Sequence, residues 1–240
     1  MKIIAHRGAS GLALENTMAA FELARLLGVD AIELDVRRAD DATLVVCHDA
    51  TLSRVSDNSM RISSSTHAEL RSVRLNDKLS TVPSLEQVMK AVGNIHLIIE
   101  LKSSGCVPGL VKLLEKYPKQ RVSVASFRHS ELSKLKASRP KTTVIALEQT
   151  KPFEIVSAAR RAGFQGIGLN FWLLNPLTYW WIRRAGLSLY VYTINSRLLG
   201  NFIGWLYPEA AICTDHPEWF IKHPWLKVKR SFAEKHRKES

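Results

Sequence analysis

Cysteine is scarce in this chain: Cys47, Cys106 and Cys213 are the only three among 240 residues. An odd, widely spaced set with no paired metal motif excludes a disulfide framework and a cysteine-held zinc site, and predicts reduced thiols in a cytoplasmic protein. Long apolar runs are missing too. The greasiest stretch, residues 169–182, is interrupted by Asn170, Asn175, Pro176 and Thr178, short of the roughly 18 uninterrupted residues a spanning helix needs. Strand-like sequence begins at residue 2, so no secretory leader is expected. Acids are in deficit, with 22 Asp and Glu against 34 Lys and Arg and a formal net charge of +12. That excess favours polyanions, anionic membrane surfaces or small phosphorylated substrates and says nothing about fold. No DNA- or RNA-recognition motif is visible, and no nucleic-acid partner is expected.

What is present is a regular alternation. Apolar runs at 2–5, 31–36, 44–47, 96–101, 121–126, 143–147, 166–169, 188–193 and 210–213 read as strands buried on both faces. Between them lie helical stretches, and Gly28, Gly93, Gly163 and Gly186 stand where left-handed C-terminal caps belong. Nine runs exceed a closed eight-stranded barrel by one. Only residues 37–43 separate the second and third runs, too few for a parallel crossover, so these two form an antiparallel excursion turning at Asp40-Asp41-Ala42. Removing it leaves eight β/α units, a TIM-type (β/α)8 barrel with a small excursion and cap inserted after the second strand. The alternative is an open doubly wound sheet. The expected organisation is one catalytic domain over residues 1–222, with 53–80 as a loop or small helical cap, and a basic C-terminal tail over 223–240.

Barrels of this type carry their chemistry at the C-terminal ends of the strands. The first strand delivers His6-Arg7-Gly8, with Glu15-Asn16-Thr17 opening a helix: an imidazole, a planar cationic fork suited to phosphate, and a helix start. The second ends Glu33-Leu34-Asp35, placing two carboxylates on one face, where burial would demand a cation or a proton. After the excursion comes His48-Asp49. The next barrel strand ends Glu100-Leu101-Lys102, which brings a third acid and a lysine able to balance charge or touch phosphate. Three hard oxygen ligands, Glu33, Asp35 and Glu100, suit Mg²⁺ or Ca²⁺. Two imidazoles, His6 and His48, flanking an anion site supply a general acid and a general base for phosphodiester hydrolysis. Late in the chain, Tyr192 or Asn195 points to the mouth, and Thr214 or Asp215 caps the turn after the last strand. His67, His96, His129 and His216 are assigned no chemistry.

These motifs, in this order from residue 2 to about Trp219, resemble the glycerophosphodiester phosphodiesterase family. The resemblance implies a TIM-barrel enzyme needing one divalent cation and hydrolysing glycerophosphodiesters to an alcohol and glycerol 3-phosphate. It implies acid/base roles for His6 and His48, metal ligation by Glu33, Asp35 and Glu100, phosphate contacts from Arg7 and Lys102, and a glycerol contact from Tyr192, where the family more often has tryptophan. Leu14 stands where it usually has proline, and Ser53-Arg54-Val55-Ser56-Asp57 replaces a more Thr- and Gly-rich run. Two other functions fit parts of the chain. One is a lysophospholipase D acting on acylated substrates at a membrane, with Phe171, Trp172, Trp180 and Trp181 as an apolar lip and the basic tail on anionic lipid. The other is a non-enzymatic basic binding module, which leaves the buried-type carboxylates unexplained.

Overall fold

The computed structural model describes residues 1–222. The basic tail expected at 223–240 lies outside the described residues. Strands and helices follow in the order β1 (Ile3–Ala5), α1 (Met18–Leu27), β2 (Ala31–Arg38), β3 (Leu44–Val46), α2 (His67–Ser72), α3 (Leu85–Ala91), β4 (His96–Leu101), α4 (Val107–Lys116), β5 (Val122–Ser126), α5 (His129–Ser138), β6 (Thr143–Glu148), α6 (Pro152–Arg161), β7 (Gly166–Asn170), α7 (Pro176–Arg184), β8 (Ser188–Tyr192), α8 (Arg197–Leu206) and β9 (Ala211–Thr214). Every apolar run read as a strand is one, with ends shifted by a residue or two.

The sheet runs β1-β9-β8-β7-β6-β5-β4-β2, and β1 pairs again with β2 to close it. Eight parallel strands therefore form a barrel with helices around it, and the open sheet is excluded. The ninth strand, β3, is antiparallel and pairs with the far end of β2, Val36 opposite Val46 and Arg38 opposite Leu44. It finds room because β1 is short and pairs with β2 only at Ala31 and Ile32. The tight return at Ala42 is left-handed, with φ 64°.

Alternation along each strand sorts side chains into two layers. Ile3, Ala5, Ile32, Leu34, Leu97, Ile99, Ile167 and Leu169 face outward and meet the helices in the main core. Ile4, Ala31, Ile98, Ala125, Ile145, Leu147, Tyr190, Ala211 and Cys213 fill the barrel itself. Helix α1 shows how the outer layer is built. Thr17 caps it by accepting from the Ala20 N–H, Gly28 ends it in the left-handed region, and Ala20, Phe21, Ala24 and Leu27 form its buried stripe.

Residues 53–80 are an ordered cap beside the rim. Thr66 and Glu69 close a capping box on α2, and Leu52, Val55, Ile62, Leu70, Leu75 and Val82 pack with Val45 and Cys47 into a satellite core. The last strand leads into a single 3-10 turn, Pro217–Trp219. No helix among the described residues is long and apolar enough to cross a membrane.

Candidate active site

The barrel's register gathers the acids. In the parallel β2–β4 pairing Asp35 stands opposite Glu100, and Glu33 lies two residues below Asp35 on the same inward face as Ala31. Oxygens of Glu33, Asp35 and Glu100 come within 4.8 Å of one another. The other inward positions rise to the same level by twos: His6 above Ile4, Lys102 above Glu100, Tyr192 above Tyr190 and Asp215 above Cys213. The strand ends thus bring all eight residues singled out in the sequence, His6, Arg7, Glu33, Asp35, His48, Glu100, Lys102 and Tyr192, to one mouth.

Each histidine is held by a carboxylate. His6 Nδ1 lies 2.6 Å from Asp215 Oδ1, and its Nε2 is 4.0 Å from Glu33 Oε2. Burial would raise the Asp215 carboxyl, but the His6 bond, with help from Asn195 and Ser10, holds it at about 2. An ionised carboxylate only accepts, so Nδ1 of His6 carries the hydrogen and Nε2 faces the acids. His48 repeats the arrangement: Nδ1 lies 2.7 Å from Asp49 Oδ1, and Lys102 Nζ donates to Nε2 over 3.1 Å. Burial, reinforced by Arg7 and Lys102, lowers the His48 pKa against the pull of Asp35. Its place is set by β3: the Cys47 N–H bonds the Asp35 carbonyl, and Arg37 Nε donates to the His48 carbonyl over 2.8 Å.

Arg7 is fixed in a strained conformation. Its φ of 56° lies in the left-handed region, and so does that of Asn16, a residue type that tolerates it better. The Arg7 N–H donates to Glu33 over 3.0 Å, and its carbonyl accepts from Asn16 N–H at 2.9 Å. The Asn16 amide in turn donates to Asp35 over 2.9 Å. The guanidinium sits 3.2 Å from Asp35 and 2.8 Å from Glu15. From the cap, Arg54 places two further N–H groups on Glu15, at 2.7 and 2.8 Å, and a third on Asp49. One cap side chain therefore ties the partner of Arg7 to the partner of His48.

The charges do not cancel. Three carboxylates share the mouth with two cations, Arg7 and Lys102, the latter 2.8 Å from Glu100 and 3.6 Å from Asp35. Burial, then repulsion from Asp35 and Glu100, pushes the Glu33 pKa well above the usual carboxylate range. Burial and Asp35 raise Glu100 likewise, whereas Arg7, Lys102, His48 and Asn16 outweigh burial at Asp35 and lower it. A buried, all-oxygen donor set carrying excess negative charge fits a hard divalent cation. Tyr192 is a wall of the same space: its hydroxyl donates to the Glu148 carbonyl over 2.9 Å, and its ring meets Phe127 edge to face. Glu33 and Glu100 line a small pocket of about 30 Å³ with His6, Phe127 and Tyr192. A cleft of about 420 Å³ lined by Arg7, Ser10, Glu15 and Asp215 shares His6 with it.

Strand periodicity alone does not reveal the carboxylates behind the histidines. Asp215 does not cap the turn after β9. Thr214 does that, its Oγ1 accepting from His216 N–H at 3.1 Å, while Asp215 turns inward to His6. Asn195 supports Asp215 and is directed to the mouth as one of the two residues expected there. Asp49 follows His48 directly but reads in the sequence only as closing the excursion. Glu15 and Asn16 read as the opening of a helix, which does not show that they bind Arg7 and Asp35, and Arg54 gives no signal beyond its charge.

Fold and site together define a (β/α)8-barrel enzyme with an acidic, histidine-flanked centre at its mouth. Residues 6–219 match the sequence model of the glycerophosphoryl diester phosphodiesterase family, and the chain belongs to that family. It is 30% identical to YhdW of Bacillus subtilis, over 92% of this chain and 97% of that protein. It is 27% identical to the glycerophosphodiester phosphodiesterase of the same organism, over 91% and 85%. A phosphodiesterase of Oleispira antarctica, solved in complex with the product sn-glycerol-3-phosphate, superposes with a TM-score of 0.86 at 24% identity, covering 97% of each chain.

Proposed function

We propose that this chain hydrolyses glycerophosphodiesters to an alcohol and glycerol 3-phosphate with the aid of one divalent cation, Mg²⁺ or Ca²⁺. The observation that carries the reading is the convergence of three acids, Glu33 and Asp35 buried and Glu100 half-buried, two carboxylate-oriented imidazoles and a strained arginine at one barrel mouth. Family membership and the glycerol-3-phosphate complex of the Oleispira phosphodiesterase support it. Glu33, Asp35 and Glu100 would hold the cation, which supplies positive charge to a phosphodiester's oxygens. Arg7 and Lys102 face the same oxygens and offset charge that builds there in the transition state. His6 and His48 present Nε2 to the mouth, with Nδ1–H committed to Asp215 and Asp49. One, neutral at Nε2, takes the proton of the attacking hydroxyl, from water or from the substrate's glycerol; the other enters as the imidazolium, protonated at Nε2 as well, and gives that proton to the departing alkoxide. Tyr192 and Phe127 form an apolar wall for the glycerol carbons. Residues 1–222 act as one catalytic domain in this scheme, with the 53–80 cap contributing Arg54.

The test is a panel of glycerophosphodiesters with different headgroups, incubated with Mg²⁺, with Ca²⁺ or with chelator and read out as glycerol 3-phosphate. Release with a cation and none with chelator is expected. Release undiminished by chelator would remove the cation from the scheme, and no release from any member would remove the substrate class.

A further inference from the structure

The outer faces of α7 and α8 carry an apolar surface that the barrel does not use. On α8 the positions spaced i, i+4, i+7 and i+8, namely Leu198, Phe202, Trp205 and Leu206, all point to solvent. Leu198 is 85% exposed and Trp205 77%, while Gly200 and Ile203 bury the opposite side. On α7, Leu177, Trp180 and Trp181 are exposed at the same helical spacing, while Thr178 and Ile182 face the barrel. The two helices follow neighbouring strands, and beneath them Tyr179 packs on Tyr207 with ring centroids 4.9 Å apart, so the two apolar stripes stand on adjacent helices. Trp172, 81% exposed, extends the apolar surface toward the mouth, since it stands in the connection leaving β7.

The charge at this surface is predominantly positive. Residues 152–206, from α6 through α8, contain Arg160, Arg161, Arg183, Arg184 and Arg197 against a single acid, Glu154. A cavity of about 640 Å³ between α6 and α7 is lined by Arg160, Arg161 and Arg184 together with Trp180 and Trp181. Arg184 lies over the Trp180 ring, 5.3 Å from its centre. Among the described residues no carboxylate lies within ion-pair distance of Arg160, Arg161 or Arg184, whereas Arg183 is paired with Glu209. A second copy of the chain would bring these arginines against their own kind, which disfavours self-association. Leucine and phenylalanine side chains give a polynucleotide backbone nothing to bond. Anionic phospholipid satisfies both features, offering phosphate to the arginine-lined cavity and acyl carbon to the Leu, Phe and Trp stripes.

We propose that the α7–α8 face, with the arginine cavity beside it, docks the protein on an anionic lipid surface. This stands independently of the assigned hydrolysis, because the surface shares no residue with the catalytic mouth.

The experiment is cosedimentation of the full chain with vesicles of phosphatidylcholine alone or with 30 mol% phosphatidylglycerol, and the variants are F202A/W205A and R160E/R161E. The wild type is expected to bind the anionic vesicles and to release with salt. Replacing Phe202 and Trp205 should weaken binding at least tenfold, and each arginine removed should cost about fivefold, more on reversal. Both variants sit on exposed positions and should keep the wild-type circular dichroism and glycerol 3-phosphate release from a soluble substrate. Any of three results overturns the proposal: no binding to anionic vesicles, binding unchanged in both variants, or sedimentation of a vesicle-free dimer that the same variants abolish. Tight binding to an oligonucleotide that outcompetes vesicles does so as well.

Discussion

Glu33→Gln tests the acidic centre most sharply, because it should reverse sign with the presence of a cation. Two unit charges ~4.8 Å apart at an effective dielectric of ~20 repel by ~3.5 kcal/mol, and the oxygens of Glu33, Asp35 and Glu100 lie within that separation. Arg7 and Lys102 offset part of this, leaving a net cost of ~1–2 kcal/mol. The Glu33 pKa is raised in the folded state by burial and by the neighbouring acids. Its contribution is therefore fully favourable below the unfolded carboxylate pKa of ~4.3 and is lost as pH rises through the folded value. Glutamine keeps an oxygen for the Arg7 N–H and never ionises. In chelator at pH 8 the variant should melt ~2–8 °C above wild type, at ~2–4 °C per kcal/mol for a chain of this size. The advantage should shrink toward pH 4. A saturating divalent cation should reverse the order: wild type gains ~2.7 kcal/mol at a hundred times the dissociation constant, and the variant, short of one ligand, gains much less. Calorimetry across pH, with and without cation, reads all four values. A variant that melts below wild type in chelator at pH 8, yet responds equally to cation, would refute the reasoning.

Asp215→Asn should lower kcat about tenfold to a thousandfold with KM little changed, because the imidazole of His6 loses the acceptor that sets its tautomer. Steady-state kinetics settles it, and a rise in KM alone would return Asp215 to a structural role. Arg54→Ala removes three charge-assisted bonds to Glu15 and Asp49, but the side chain is nearly half exposed, so the loss is discounted to ~1 kcal/mol, or ~2–4 °C in melting. Arg54→Lys should recover little of it, since an ammonium cannot hold both acids in a fork. Phe21→Ala, beneath α1 in the main core, should cost ~3–5 kcal/mol in urea unfolding without altering the cation response of the protein that remains folded.

The acids and His48 were readable because two simple rules place them: residues two apart share a strand face, and a run of seven residues between strands forces a hairpin that returns His48 to the rim. Asp215 was not readable in its role. Its contact with His6 spans most of the chain and exists only because β9 pairs with β1, bringing Thr214 level with Ala5; from sequence, Asp before a Pro-led turn looks like a cap. Arg54 and Glu15 escaped for a different reason. Their bond joins two irregular segments, where no periodicity fixes direction. The leucine at 14, where the family usually has proline, packs against the cap core, and its carbonyl accepts from the Thr17 hydroxyl at 2.6 Å. The exposed tryptophans were visible as a cluster, but only the helices show which of them face away from the barrel.

The proposed hydrolysis rests on proton transfer by the two imidazoles at a centre whose acids would bind the cation independently of them. Turnover and cation-induced melting shift, measured together on His6→Ala and His48→Ala, separate those jobs. Each variant should lose roughly two to four orders of magnitude in glycerol 3-phosphate release while keeping the wild-type melting shift. Wild-type turnover in both variants would contradict the account.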